Sequence, residues 1–209
     1  MLDTMDTNVM AKPKLVTVPE ALPEKVYSTE RVGISKATHD NHLTLWKGYA
    51  NKTNEIRNAL AEGKAEGANQ IDSQMRALKV NYAFAYGGYV NHSVYFNTIG
   101  GEGGPAKGSV AKLINEAYGS FESWAEDWKA TGMAGRGWAF LAYDNEEQRV
   151  FNYIGDSQDT WPTWNNILLL AMDVYEHAYY LDFQTARPKY IEAYMQVIDW
   201  DAVNARIPK

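Results

Sequence analysis

The sequence predicts an α+β fold, in which a helical part comes first and a part that mixes helices with a small antiparallel sheet follows. Two long helix-like patterns occupy the first half, and short strand-like segments occur only in the second. Between them lies the most glycine-rich stretch, GGEGGPAKG at residues 100–108, which is typical of a boundary. We therefore expect a flexible tail at residues 1–12, a domain of long helices at 13–100 and an α+β domain at 101–209.

The first half is expected to form two long helices. Residues 35–62 contain no proline and repeat apolar side chains at helical spacing, which predicts a helix that ends near Gly63. A second helical pattern runs from Asn69 to about Phe96. Its middle, YAFAYGGYVNHSVYF, is apolar on nearly all sides, so this helix should be buried.

The second half mixes both kinds of element. Its helical patterns lie at residues 109–118 and 121–131, and a last one runs from Arg187 to Arg206. Its strand patterns lie at residues 137–144, 149–156 and 166–173, and the polar turn NEEQ joins the first two as a hairpin. The third strand is expected to lead into a helix that carries His177.

The composition limits the function. With 45% hydrophobic and 22% charged residues the chain is globular, and no stretch approaches the roughly 18 apolar residues of a membrane span. The N-terminal sequence MLDTMDTNVMAKPKLV does not resemble a signal peptide, so we expect a cytoplasmic protein. A net charge of −6 argues against a nucleic-acid partner. The absence of cysteine excludes disulfides, thiolate catalysis and cysteine-ligated metals.

The histidines suggest a metal site with nitrogen and oxygen ligands. The chain has four histidines, each inside a predicted helix: His39, His42, His92 and His177. Asp173 ends an apolar run, where an unpaired charge is unfavourable, and His177 lies one helical turn after it. Any single buried histidine is more often hydrogen-bonded than metal-bound. Together, three imidazoles and one carboxylate could converge, a set that suits iron or manganese better than zinc.

Several stretches resemble the iron/manganese superoxide dismutase family, and the likeness runs from about Gly33 to Arg206. The most specific is DVYEHAYYLDFQTARPKYIEAYMQVIDWDAVNAR at residues 173–206, which is similar to the family's C-terminal signature. The other matching stretches are NHSVYF (91–96), GGEGGPAKG (100–108), YGSFESW (118–124) and GRGWAFL (135–141). These motifs occur in the family's order.

The resemblance implies an N-terminal helical hairpin, a C-terminal α+β part with a three-stranded antiparallel sheet, and a metal between them. It implies disproportionation of superoxide at one iron or manganese ion bound by His42, His92, Asp173 and His177. His39 is the alternative first ligand, because the spacing between His42 and Tyr49 is one residue shorter than in the family.

The resemblance assigns Tyr49 to the tyrosine that lies over the metal. In many members a glutamine bonds the solvent molecule on the metal, but its two usual positions are occupied here by Gly88 and Ala134. Gln158, in a loop after the second strand, is the candidate replacement. The alternative interpretation, that Gln158 is an ordinary polar loop residue, carries equal weight. Tyr175 replaces the signature tryptophan and adds a hydroxyl that needs a partner if it is buried.

Further assignments concern the substrate and a second subunit. Arg187, with Lys47 as a second contributor, is expected to guide the anionic substrate. Glu176 and Tyr180 match residues at the family's dimer interface, so a homodimer or homotetramer is expected, although Trp46 replaces the usual histidine partner on the first helix. The missing glutamine before the Gly-x-Gly-Trp motif favours iron.

Two alternatives to a superoxide dismutase are open from the sequence. One is a catalytically silent relative that serves as a binding or structural protein. The other is a different metal-dependent oxidation on the same scaffold.

Overall fold

The structure is a computed structural model that describes residues 12–63, 66–160 and 162–208. The predicted tail at residues 1–12 lies outside the described residues except for Lys12. The predicted fold class is confirmed, because two long helices are followed by shorter helices and a three-stranded antiparallel sheet.

Two long helices that pack against each other form most of the N-terminal part. Its elements are α1 (Glu24–Tyr27), a 3₁₀ turn (Ser28–Val32), α2 (Lys36–Ala61) and α3 (Gln74–Thr98). The Ser35 hydroxyl caps α2 by accepting a hydrogen bond from the Thr38 amide at 3.2 Å. Helix α3 begins later than predicted, after its cap residue Ser73. Before that cap the Asn69 side-chain oxygen accepts hydrogen bonds from the Ile71 and Asp72 amides, which forms a turn instead of a helix.

The C-terminal part is built around the sheet. Its elements are α4 (Gly108–Tyr118), α5 (Phe121–Ala134), β1 (Trp138–Asp144), β2 (Arg149–Gly155), β3 (Asn166–Asp173), α6 (Tyr180–Phe183), α7 (Arg187–Met195) and α8 (Trp200–Asn204). Strand β1 is central and pairs antiparallel with β2 and β3. This confirms the predicted hairpin and the predicted third strand.

Two predicted helices differ in the structure. His177 lies in a 3₁₀ turn, Glu176–Ala178, because backbone bonds reach only three residues back, as from the Ala178 amide to the Tyr175 carbonyl. The last segment is two helices, α7 and α8, instead of one. Between them Ile198 forms a β-bridge with Ile99, so the chain is extended where a continuous helix was expected.

The core joins the two parts of the fold. Helix α3 packs on β3, and the largest fully buried side chains come from both parts, among them Tyr95, Trp124, Trp138 and Tyr194. The candidate metal-binding residues lie where α2 and α3 meet the end of β3. Across residues 12–63, 66–160 and 162–208, no helix combines the length and hydropathy needed to cross a bilayer.

Candidate metal centre

Four side chains from four places in the chain meet at the junction of the two parts. His42 lies on α2 and His92 on α3, while Asp173 is the last residue of β3 and His177 follows in the 3₁₀ turn. Their potential ligand atoms all lie within 4.8 Å of one another. The structure therefore brings together all four residues that the sequence singled out as ligands.

Asp173 is the centre of this cluster. Its Oδ2 lies 3.0 Å from His42 Nε2, 3.0 Å from His177 Nε2 and 3.7 Å from His92 Nε2. Its Oδ1 accepts a hydrogen bond from the Tyr175 amide at 3.0 Å. The backbone thus fixes one carboxylate oxygen, and the other faces three imidazoles.

Burial and the carboxylate charge set the protonation of the cluster. Burial lowers the pKa of His42, and it lowers the pKa of His92 to about 3. Burial also acts to lower the pKa of His177, but the charge and hydrogen bond of Asp173 outweigh it and the net pKa is raised. Burial alone would raise the pKa of Asp173, yet His177 and His42 hold it well below its usual range. Burial thus favours the neutral form of the two fully buried imidazoles, and the histidine partners favour the ionised form of the carboxylate.

The hydrogen bonds of the cluster fit a metal ion. His92 Nδ1 lies 2.6 Å from the carbonyl oxygen of Gly88, which can only accept, so Nδ1 carries the proton and Nε2 has a bare lone pair. Within the described part of the chain, His92 Nε2 and His42 Nδ1 are buried without a hydrogen-bond partner. A cation would satisfy the bare nitrogen and the buried carboxylate together.

His39, the alternative first ligand, lies outside the cluster. Its Nε2 is 2.7 Å from the Thr29 hydroxyl, and its buried ring packs edge-on against Phe96 and Tyr27. Burial lowers the pKa of His39 to about 3. The described contacts are those of a core histidine, and the register counted from Ile34 and Ser35 leads to His42 in the cluster.

Aromatic rings enclose the cluster. The rings of Tyr49 and Trp138 lie 5.2 and 5.1 Å from the ring of His92. Tyr175 stacks on His177 with ring centroids 5.3 Å apart. The half-buried Tyr175 hydroxyl donates a hydrogen bond to the carbonyl oxygen of Asp156 at 3.4 Å. The hydroxyl that tyrosine adds in place of tryptophan therefore has a hydrogen-bond partner.

Gln158 reaches the same enclosure from the loop after β2. Its side-chain oxygen accepts hydrogen bonds from Trp138 Nε1 at 3.2 Å and from Asn91 Nδ2 at 3.4 Å. The Asn91 amide also bonds the Gln158 backbone oxygen at 3.1 Å. Burial raises the pKa of Tyr49, and a side-chain hydrogen bond from Gln158 acts in the opposite direction. Asn91 and Trp138 were not predicted as site residues, although each lies in a motif quoted for the resemblance.

The remaining predicted residues lie near the mouth of the site. Arg187 donates hydrogen bonds to the Tyr179 hydroxyl at 3.1 Å and to the Gly135 carbonyl at 2.7 Å. It lines a surface depression together with Arg136 and His177. Glu176 and Tyr180 are exposed next to His177. Lys47, by contrast, is paired with exposed Glu20 at 3.0 Å and does not line this depression.

Comparison with known proteins identifies similar chains. Residues 106–206 match the family described as iron/manganese superoxide dismutases, C-terminal domain. Superoxide dismutase (Fe) of Aquifex pyrophilus is 39% identical over 183 residues, which cover 85% of this chain and 85% of the relative. Superoxide dismutase (Mn) 2 of Haloferax volcanii is 34% identical over 167 residues, 79% of this chain and 82% of the relative. Superoxide dismutase (Fe) of Pyrobaculum aerophilum is 31% identical over 205 residues, 96% of this chain and 95% of the relative.

Proposed function

We infer that this chain, which belongs to the iron/manganese superoxide dismutase family, is an oxidoreductase that converts superoxide into dioxygen and hydrogen peroxide. The observation that carries the inference is the buried cluster of three imidazoles and one carboxylate, with the His92 lone pair facing inward. A bound iron or manganese ion supplies a one-electron couple, which oxidises one superoxide to dioxygen and reduces a second, with two protons, to hydrogen peroxide.

In this proposal the ligands are His42, His92, Asp173 and His177. Asp173 contributes the single negative charge and links ligands from both parts of the fold. The Gly88 carbonyl holds the proton of His92 on Nδ1, away from the cluster. His177 must lose its proton to bind an ion, and its raised pKa makes it the ligand most sensitive to acid.

Tyr49 and Gln158 are proposed as the polar residues that act beside the ion. The side chain of Gln158 is fixed by Trp138 and Asn91, and a hydrogen bond from it would lower the pKa of the Tyr49 hydroxyl. This network can tune the reduction potential and hold a proton close to the reacting oxygen species. Tyr175 forms the wall over His177 and helps to exclude water.

Arg187 is proposed to attract the substrate anion. The chain has a net charge of −6, so positive charge must be local to the approach route. Arg187 and Arg136 line the depression that reaches His177. Two hydrogen bonds fix the Arg187 guanidinium, so its charge stays at the mouth of the site.

A homodimer, or a homotetramer built from it, is part of the same proposal. Glu176 is exposed beside the cluster, and Tyr180 and Leu181, which follow it in the sequence, have exposed fractions of 49% and 61%. A second subunit would cover these two side chains. Sedimentation of the purified protein measures the assembly, and cell fractionation tests the predicted cytoplasmic location.

Metal analysis and a superoxide assay test the function and its two alternatives. Protein purified without added metal should contain iron or manganese and should compete with cytochrome c for superoxide. Metal without activity would favour a different oxidation, and protein that binds no metal would favour a silent relative. The metal content also decides between iron and manganese, because relatives with either name match the chain.

A further inference from the structure

Two adjacent glycines interrupt the middle of α3. Gly87 and Gly88 lie well inside Gln74–Thr98, and neither has a positive φ, so the backbone conformation does not require glycine. A glycine inside a helix costs up to about 1 kcal/mol relative to alanine. A pair of them therefore calls for a reason in the surrounding structure.

Both glycines are sites of close approach. A Cβ atom at Gly87 would overlap the backbone oxygen of Gln158 and lie 3.0 Å from its carbonyl carbon. A Cβ atom at Gly88 would lie 2.5 Å from Cδ1 and 2.7 Å from Cε1 of the Tyr49 ring. Backbone and ring atoms cannot turn aside as the end of a flexible side chain can. The loop that carries Gln158 and the ring of Tyr49 thus pack directly on the bare helix.

The orientation of the Gln158 amide follows from its partners. Its side-chain oxygen faces two donors, Trp138 Nε1 at 3.2 Å and Asn91 Nδ2 at 3.4 Å. The amide nitrogen must then point away from these two donors. A shift of the loop away from α3 would lengthen both hydrogen bonds.

We propose that Gly87 and Gly88 are positioning residues that seat Gln158 and Tyr49 together beside the metal cluster. The proposal rests on the proposed function, because it explains how Gln158 reaches the site. In this structure a Cβ atom at position 88 and the present position of the Tyr49 ring exclude each other. The bare helix surface at 87 and 88 is the structural condition for a loop-borne glutamine.

The test compares single alanine substitutions with a matched control. Gly87→Ala should push the Gln158 carbonyl away, and the hydrogen bond from Trp138 Nε1 to Gln158 Oε1 should be longer in the crystal structure of the variant than in that of the unaltered protein. Gly48→Ala is the control, because a Cβ atom at this glycine in α2 meets nothing within 4 Å. It should leave that distance unchanged and stabilise the protein by up to about 1 kcal/mol.

The reduction potential of the iron-loaded protein supplies the functional measurement. Gln158→Ala and Gly87→Ala should each change the one-electron equilibrium at least tenfold, which corresponds to about 59 mV. If Gly87 acts through Gln158, adding Gly87→Ala to Gln158→Ala should produce no further shift. A purely structural role would instead give additive shifts.

Each outcome has a separate meaning. If Gly87→Ala leaves both the Gln158 position and the reduction potential unchanged, Gly87 does not position Gln158. That result would leave the proposed superoxide activity untouched. An unchanged potential in Gln158→Ala would overturn the role of Gln158, and absence of superoxide activity in the unaltered protein would overturn the function itself. If Gly87→Ala does not fold, Asn91→Ala removes the hydrogen bonds of Asn91 to Gln158 without adding bulk. It should change the distance between Gln158 and Trp138 and the reduction potential in the same way.

Discussion

The two parts of the fold each contribute two of the four clustered side chains, but they hold them in different ways. His42 and His92 lie inside long helices and are fully buried, and burial lowers the pKa of both. Asp173 ends a strand, and His177 lies in a 3₁₀ turn with 30% of its side chain exposed. The helical part presents two buried imidazoles, whereas the C-terminal part supplies the carboxylate and the more accessible imidazole.

This difference shows two ways of positioning a ligand. The helical histidines are fixed by packing, since His42 touches the rings of Tyr95 and Phe96. Asp173 is fixed by backbone hydrogen bonds, because the Tyr175 amide donates to its Oδ1 and the adjacent Val174 amide donates to the Gly137 carbonyl. The helical histidines depend on packing between rings, while the strand end depends on backbone hydrogen bonds.

The largest expected effect comes from removing the charge that the two parts share. Asp173→Asn keeps the shape but removes the negative ligand, so the protein should lose its metal. Activity should fall by more than the 10- to 100-fold that changes behind a metal ligand cost. Metal content per subunit and superoxide loss are measured together. The control Asp201→Asn, at an exposed carboxylate on α8, should change neither; an Asp173→Asn protein with full metal content would contradict the ligand assignment.

The second prediction compares one histidine from each part in the metal-free protein. His92→Ala removes a fully buried ring and should lower the free energy of unfolding by about 2–5 kcal/mol. His177→Ala removes a ring that is partly exposed, but it also takes the main charged partner from the buried Asp173 carboxylate, so its cost should be electrostatic and should shrink in an Asp173→Asn background. Both single variants should fail to retain metal. Urea unfolding measures the stabilities, and a cost of His177→Ala that is unchanged in the Asp173→Asn background would contradict the electrostatic origin.

Much of the fold was predictable from local patterns. Periodicity placed both long helices and all three strands, because their apolar residues repeat with the period of the element that they form. The start of α3 was not predicted correctly. The helical pattern of apolar residues extends back to Asn69, but the Asn69 side chain forms a turn there. The break between α7 and α8 depends on the bridge between Ile99 and Ile198, a contact between residues distant in sequence.

The site was predictable to a different degree. The residue types and the resemblance singled out the four clustered side chains, and the spacing of Asp173 and His177 pointed to one surface. The hydrogen-bond network around Gln158 was less predictable from the sequence, because Asn91, Trp138 and Gly87 come together only in the tertiary fold. A glycine pair inside a helix was the signal in the sequence, but its meaning depends on what packs against it.

The smallest expected effect concerns an ion pair between the two parts. Lys25 is the second residue of α1, and Asp199 caps the start of α8. Lys25 Nζ lies 2.7 Å from Asp199 Oδ2. Burial acts to raise the pKa of Asp199, but hydrogen bonds from Lys25 and the Ala202 amide outweigh it and the net pKa is lowered. A lowered folded-state pKa means that the pair stabilises the protein above the unfolded value of about 3.9, and that this stability is lost as the pH falls through the folded-state pKa.

Asp199→Asn should therefore remove part of the loss of stability on acidification. Because both side chains are partly exposed, the contribution should be only about 0.2–1 kcal/mol. Unfolding free energies measured from about pH 5 down to about pH 3 should fall less steeply in the variant than in the original protein. Lys25→Met should flatten the slope by a smaller amount, because it breaks the same pair from the N-terminal side but leaves the Ala202 amide on Asp199. Equal slopes in all three proteins would mean that this contact between the two parts adds nothing to their docking.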